Sequence, residues 1–157
     1  MHPTAARLQR RLAERGLSVE VRELPDSTRT AAEAAAACTC EVGQIVKSLV
    51  FVCDGAYVLA LVPGDRRADE GAIAAELGAN EIRIARPDEV EHATGFEPGG
   101  VAPFPQRAVT QTLMDKDLLQ HAVVWVGAGT PAHMAALPPG ELQRLARARP
   151  VDLGPSG

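Results

Sequence analysis

Aromatic residues are scarce in this chain: one Trp, one Tyr and three Phe among 157 residues. That excludes an aromatic platform of the kind that stacks successive bases of a single strand, and it leaves the core to Ala, Val and Leu. An excess of positive charge is missing too. Sixteen Lys and Arg against twenty Asp and Glu give a formal charge of −4. No global basic field gathers polyanions, so a nucleic-acid partner has to be gripped locally. The three cysteines (38, 40 and 53) form no Cys-x-x-Cys, and His2, His92, His121 and His133 are scattered. A zinc site is therefore not expected, and the thiols are expected to be reduced, as in cytoplasm. There is no apolar run of membrane-spanning length and no signal peptide, so a soluble cytoplasmic protein with no membrane or DNA partner is expected. Gly-x-Gly-x-x-Gly and Gly-Lys-Ser/Thr are both absent, and no cofactor is expected.

What is present begins with a hairpin. Gln44–Cys53 and Ala56–Pro63 are apolar, β-branched-rich runs separated by Asp54-Gly55. That pair suits a type I′ turn, which needs positive φ at both central residues. Counting back from the turn sets Cys53 opposite Ala56, Phe51 opposite Val58 and Lys47 opposite Val62. Lys47 shares a face with Ile45, Leu49 and Phe51, while Val46, Ser48, Val50 and Val52 lie on the other. Both faces are apolar, as in a strand covered on both sides. Two readings of Lys47 stay open from this stretch alone: a stem snorkelling to water or to Asp65, or a cation held on a rigid strand at a pocket mouth.

The length suits one domain, residues 1–150, with 151–157 as a flexible tail fraying from Pro150. Residues 3–16 read as a helix with Pro3 in its first turn and Gly16 at its end. Arg7, Arg11 and Arg15 form a stripe on it, either a solvated face or a contact for a nucleic-acid backbone. Val19–Leu24 alternates as a strand, and Thr28 or Thr30 can cap the alanine-rich helix Ala31–Ala37. After Pro63-Gly64-Asp65, the pair Arg66-Arg67 reads as a basic spot on a turn. Asp69 caps a helix to Leu77, stopped by Gly78. A short strand at Ile82–Ala85 and a helix from Pro87 to about Gly95 follow. Strands are predicted at Arg107–Gln111 and His121–Gly127, with a short helix or turn over Met114–Leu119, capped near Asp115, between them. His133–Leu137 is extended, and a last helix covers Glu141–Arg149. These elements suggest α and β with a mixed sheet, not a strict βαβ repeat.

The least regular stretch, Gly95–Pro105, holds three glycines and three prolines in eleven residues. Either it is a surface connector, or it is a loop whose backbone N–H groups approach a ligand without side-chain obstruction.

Four pieces in order resemble the YbaK/EbsC-type aminoacyl-tRNA deacylases, a family similar to the editing domain inserted in bacterial prolyl-tRNA synthetases. They are Gly43-Gln44-Ile45-Val46-Lys47-Ser48-Leu49-Val50-Phe51, Leu61-Val62-Pro63-Gly64-Asp65, Gly99-Gly100-Val101-Ala102-Pro103-Phe104, and Val126-Gly127-Ala128-Gly129-Thr130 leading to Leu137. The resemblance implies a YbaK-like α+β domain with a mixed, largely antiparallel, barrel-like sheet surrounded by helices. It implies trans-editing: hydrolysis of the ester between a wrong amino acid and the tRNA 3′ end, with an aminoacyl-tRNA synthetase as a further partner. It implies Lys47 as the catalytic residue and a substrate pocket made by Gly99, Gly100, Val101, Ala102, Pro103 and Phe104. Gly127, Gly129 and His133 join that set through the fourth piece. Pro105 departs from the family, which often has glycine there, and so implies a stiffer loop. Val101 and Ala102 imply an apolar-tolerant pocket.

No Ser/His/Asp or Cys/His set has recognisable spacing. The expected chemistry is therefore non-covalent and metal-free, with Lys47 polarising the ester or a phosphate, loop amides helping the oxyanion, and a substrate hydroxyl or another group activating water. Two rivals are a binding module that holds a tRNA end or nucleotide without turnover, and a metal hydrolase using Asp65, Asp69 and Glu70. Asp115 is a further candidate, alongside its helix-cap reading.

Overall fold

The computed structural model describes residues 2–26, 28–104 and 107–154; Pro105, and with it the expected stiffening of the loop, lies outside them. The hairpin is the centre of the fold. Strands β2 (Val46–Cys53) and β3 (Ala56–Pro63) pair antiparallel, with Cys53 opposite Ala56, Phe51 opposite Val58 and Lys47 opposite Val62. Asp54 (φ 49°) and Gly55 (φ 84°) make the turn. Asp54 adds a tertiary contact, its carboxylate accepting the Asn80 and Glu81 N–H groups. Both faces of β2 are covered. Val46 and Val50 join one apolar cluster with Leu59 and Leu61, while Phe51 and Cys53 join another with Val58 and Ile73.

On either side of the hairpin, β4 (Ile82–Ile84) pairs with β2, and β5 (Gln111–Asp115) lies parallel to β3. A last strand, β8 (Ala148–Val151), lies parallel to β5, giving the order β4-β2-β3-β5-β8. A second sheet has the order β1-β7-β6, from Glu20–Glu23, His133–Leu137 and Val124–Gly127. One bridge, Ile45 to Trp125, joins the two.

This corrects the expected barrel. The domain is α+β with a mixed sheet, but the sheet does not close: β4 and β8 end one sheet, and β1 and β6 end the other. Pro150, lacking an N–H, is tolerated in β8 because that strand is an edge. The end expected to fray from Pro150 instead pairs with Met114, and Val151 and Leu153 are buried.

The helices follow their caps. In α1 (Pro3–Glu14) the His2 ring accepts the Thr4 N–H, and Leu8 and Leu12 face the core. Helix α2 (Ala31–Cys38) has a reciprocal capping box between Thr30 and Glu33. Asp69 caps α3 (Glu70–Leu77), and Gly78 ends it at φ 63°. Pro87 opens α4 (Pro87–Thr94) and Pro139 opens α5 (Pro139–Ala146). Among the described residues no helix is long and apolar enough to cross a membrane. All three cysteines are free thiols.

Two elements differ from expectation. The strand predicted at Arg107–Gln111 lies at Gln111–Asp115, while the short helix or turn expected over Met114–Leu119 is a 3₁₀ turn at Lys116–Gln120 capped by Asp115. Leu113 and Met114 point into opposite clusters of the core, so this buried strand shows no polar alternation to mark it. Helix α5 ends at Ala146 and not at Arg149, because Arg147 adopts the left-handed conformation (φ 52°) that turns the chain into β8.

Candidate active site

Lys47 sits one step from the end of the hairpin, where Pro63-Gly64-Asp65 turns the chain. The Gly64 N–H reaches the Ile45 carbonyl at 2.7 Å, and a Cβ on Gly64 would lie 2.6 Å from the Val42 oxygen. Only glycine fits that approach. The turn places the main-chain carbonyl of Arg66 over β2, and the Lys47 ammonium donates to it. Arg66 is not the exposed basic spot its sequence position suggested. Its guanidinium meets Asp115 at 3.0 Å and also binds Asp117, with the Asp115 side chain only 2% exposed. Asp115 does cap the 3₁₀ turn, accepting the Asp117 N–H at 2.9 Å, so one buried carboxylate serves both contacts.

Half-buried Lys47 has its pKa lowered from the ordinary 10.5. Burial is the main cause; Asp65 opposes it and Arg67 adds to it. Asp65 therefore acts on Lys47 through space, while the direct partner is a neutral carbonyl.

Lys47 lines a cavity of about 500 Å³ that runs between the two sheets. Gly99, Val101, Gly127 and His133 line it too, so the structure gathers five of the residues singled out in the sequence. Ser48, Thr28, Arg29 and Met134 are among its other lining residues; sequence reasoning did not assign them to the site, and two of the four come from the stretch between β1 and α2. The other predicted residues lie around it. Gly100 is a contact point: its Cβ would fall 2.7 Å from the Thr130 backbone. Gly127 presses on the same loop, where a Cβ would sit 2.5 Å from the Val101 oxygen. Gly129 (φ 98°) backs onto Thr4 and Phe96. Ala102 is fully buried in the main core cluster. Pro103 and Phe104 line a different cleft beside α5, where the Arg15 guanidinium stacks 4.4 Å from the Phe104 ring centre.

Two buried side-chain atoms lack a hydrogen-bond partner among the described residues, Ser48 Oγ and His133 Nε2, and both residues line this cavity. Buried polar groups are ordinarily satisfied, so these two atoms beside the cavity call for a partner from outside the chain, a bound water or a polar ligand group. The His133 ring is held from its other side. Thr130 Oγ accepts the Ala132 N–H at 3.2 Å and lies 2.7 Å from His133 Nδ1. Where the Thr130 hydroxyl donates to Nδ1, Nε2–H is a donor; where Nδ1–H donates to Thr130, Nε2 is an acceptor, so either way Nε2 is the ring atom left for a further partner. Beyond its place after the Val126–Thr130 piece, no signal in the sequence separates this His from a packing residue; its buried, unpartnered Nε2 does.

Asp69, one of the carboxylates considered for a metal, is engaged with the Ala72 N–H of α3. Among the described residues no three His, Cys, Asp or Glu side chains converge as a metal site needs.

Residues 25–145 match the aminoacyl-tRNA editing domain family. The chain is 39% identical over 84 residues to the proline–tRNA ligase of Nitratidesulfovibrio vulgaris and 35% over 85 residues to that of Lactobacillus johnsonii. These alignments cover 54% of the chain and 15% of each ligase, so the chain spans a small part of those enzymes' length. A solved structure proposed to be a trans-editing enzyme for prolyl tRNA synthetase superposes with a TM-score of 0.91 at 44% identity, covering 99% of both chains. A structure from computational grafting of epitopes onto scaffold proteins gives 0.89 at 38%, with the same coverage. The chain belongs to the aminoacyl-tRNA editing domain family.

Proposed function

We propose that the Lys47 cavity holds the aminoacyl ester of a mischarged tRNA and that Lys47 is its catalytic residue. Attack of water on the ester carbonyl gives a tetrahedral oxyanion, and collapse breaks the acyl C–O bond to release the amino acid and the tRNA 3′-terminal hydroxyl. The Lys47 ammonium stabilises that oxyanion, with the Gly99 and Val101 N–H groups as further donors, the Gly100 N–H being engaged by the Glu97 carbonyl at 3.0 Å. His133 Nε2 hydrogen-bonds the substrate, and a substrate hydroxyl orients the attacking water. No covalent enzyme intermediate is needed. The supporting observation is one cavity lined by a lysine on a rigid strand, by the Gly99 and Val101 backbone segment and by His133, whose buried Nε2 has no partner among the described residues.

The proposed partner is a prolyl-tRNA synthetase, and the substrate its mischarged tRNA released into the cytoplasm. This reading is supported by the name of the 44% identical structure and by the ligases that share this domain. The test is single-turnover hydrolysis of tRNA-Pro carrying each of several wrong amino acids. Lys47→Ala is expected to lose about 10²–10³ in rate while the fold is kept. A variant as fast as wild type removes Lys47 from the chemistry.

A further inference from the structure

A second cavity, of about 400 Å³, opens on the other side of the Gly95–Phe104 loop. Its rim carries Arg7 and Arg11 from α1 and Arg107 from the segment before β5, with Leu8 and Phe96 beneath them. Arg7 and Arg11 are one helical turn apart, on the stripe whose role the sequence left open. All three arginines are exposed, and among the described residues none forms an ion pair or hydrogen bond. Arg22, Arg66, Arg83, Arg86, Arg144 and Arg149 each meet a carboxylate; Arg10, Arg15, Arg29, Arg67 and Arg147 do not, but none of those lines this cavity. In a chain of net charge −4, three uncompensated guanidinium groups around one concavity form a local positive field. Planar guanidinium forks match phosphate oxygens in pairs.

The cavity is also tied to the Lys47 site. Gly99 and Val101 line the one and Phe96 the other, and Gly129 packs directly on Thr4 and Phe96. A polyanion bound here runs past the same loop that walls the ester cavity.

We propose that Arg7, Arg11 and Arg107 form a phosphate-binding cavity for the RNA backbone of the substrate tRNA, separate from the Lys47 cavity. This rests on the reading that aminoacyl-tRNA ester is the substrate. Backbone contacts position the 3′ end without reading sequence.

The experiment compares two substrates, a full-length mischarged tRNA and an aminoacylated trinucleotide carrying only its 3′ end, at several salt concentrations. Arg7→Gln with Arg11→Gln is expected to raise KM for the full-length tRNA while leaving kcat unchanged. The slope of log KM against log salt should fall by about 0.7–0.9 for each phosphate that the variant no longer neutralises. The short substrate should be hydrolysed as by wild type. Arg107→Gln should act in the same direction, and Arg7→Lys with Arg11→Lys should recover most of the affinity. An unchanged KM and salt slope for the full-length tRNA overturns the proposal. So does an equal loss on both substrates, which places the arginines in support of the fold or the ester site. If wild type hydrolyses neither substrate, the ester reading itself fails, independently of the arginines.

Discussion

Lys47 donates to the main-chain carbonyl of Arg66, and the Arg66 guanidinium is clamped by Asp115 and Asp117. The lysine on β2 is therefore positioned by a turn that is itself anchored on the end of β5. Neither link is a charge pair to the lysine, and the carboxylate that acts on its ammonium, Asp65, does so through space.

Removing Asp115 should leave a largely buried guanidinium with one exposed partner. Asp115→Asn is expected to cost about 3 kcal/mol of stability, the lower end of the range for breaking a buried pair, because Asp117 remains. Asp117→Asn, whose side chain is 40% exposed, should cost under about 1 kcal/mol. Urea unfolding of the two variants measures both. Equal midpoints for Asp115→Asn and wild type would show that the clamp carries no stability.

Lys47 titrates below the ordinary 10.5. If its ammonium is the form that acts, enzymatic deacylation, corrected for spontaneous ester hydrolysis, falls as pH rises through that lowered value. Asp65 raises the pKa and Arg67 lowers it. Asp65→Asn should therefore move the falling limb to lower pH, and Arg67→Gln should move it to higher pH. Stability runs the other way: burial of the charged form weakens the fold below the lowered pKa, and the penalty is relieved as pH rises from there towards 10.5. Limbs that do not move in opposite directions would assign the titration to another group.

Glu89 ties strand β4 to helix α4. Its carboxylate binds Arg83 through two contacts at 2.7 and 2.8 Å and accepts the Arg86 N–H at 2.9 Å. The Arg83 hydrogen bond, then the backbone one, lower its pKa from 4.5 to about 2. A lowered carboxylate pKa contributes stability that is complete above 4.5 and is lost as pH falls through about 2. Glu89→Gln should flatten the acid side of the stability curve in that window, measured by thermal unfolding across pH. An unchanged acid limb would mean that the exposed Arg83 contributes nothing in solution.

The hairpin and its register were legible because Asp54-Gly55 admits one turn geometry, and a strand has a strict period of two. That counting also brought Lys47 to the Pro63–Asp65 end. The parallel strands were not legible. Leu113 and Met114 are buried on opposite faces without alternation, and Pro150 reads as a breaker unless the strand is known to be an edge. Within the glycine-rich loop, the sequence marked the segment but not which side chains face the cavity, since a coil has no period. Hence Val101 lines the site while Ala102 lies in the core and Phe104 lies beside α5. Ser48 and His133 stand out only through burial without a partner, which is a property of packing.

The wall of the cavity depends on two strands of backbone touching. Gly127 needs no left-handed conformation, so its demand is purely steric: a methyl group there would sit 2.5 Å from the Val101 oxygen. Neither atom can yield without moving its main chain. Gly127→Ala should therefore displace the Gly99–Val101 wall, lowering kcat for the tRNA ester as well as stability. Gly140 provides the contrast. It lies in the first turn of α5, and a methyl group there would meet nothing within 4 Å. Alanine at that position should be neutral or gain up to about 1 kcal/mol from helix propensity. Thermal unfolding and single-turnover rates of both variants check the difference. A Gly127→Ala protein with wild-type rate would show that the loop wall tolerates displacement and that the ester is held by the strand side, Lys47 and His133, alone.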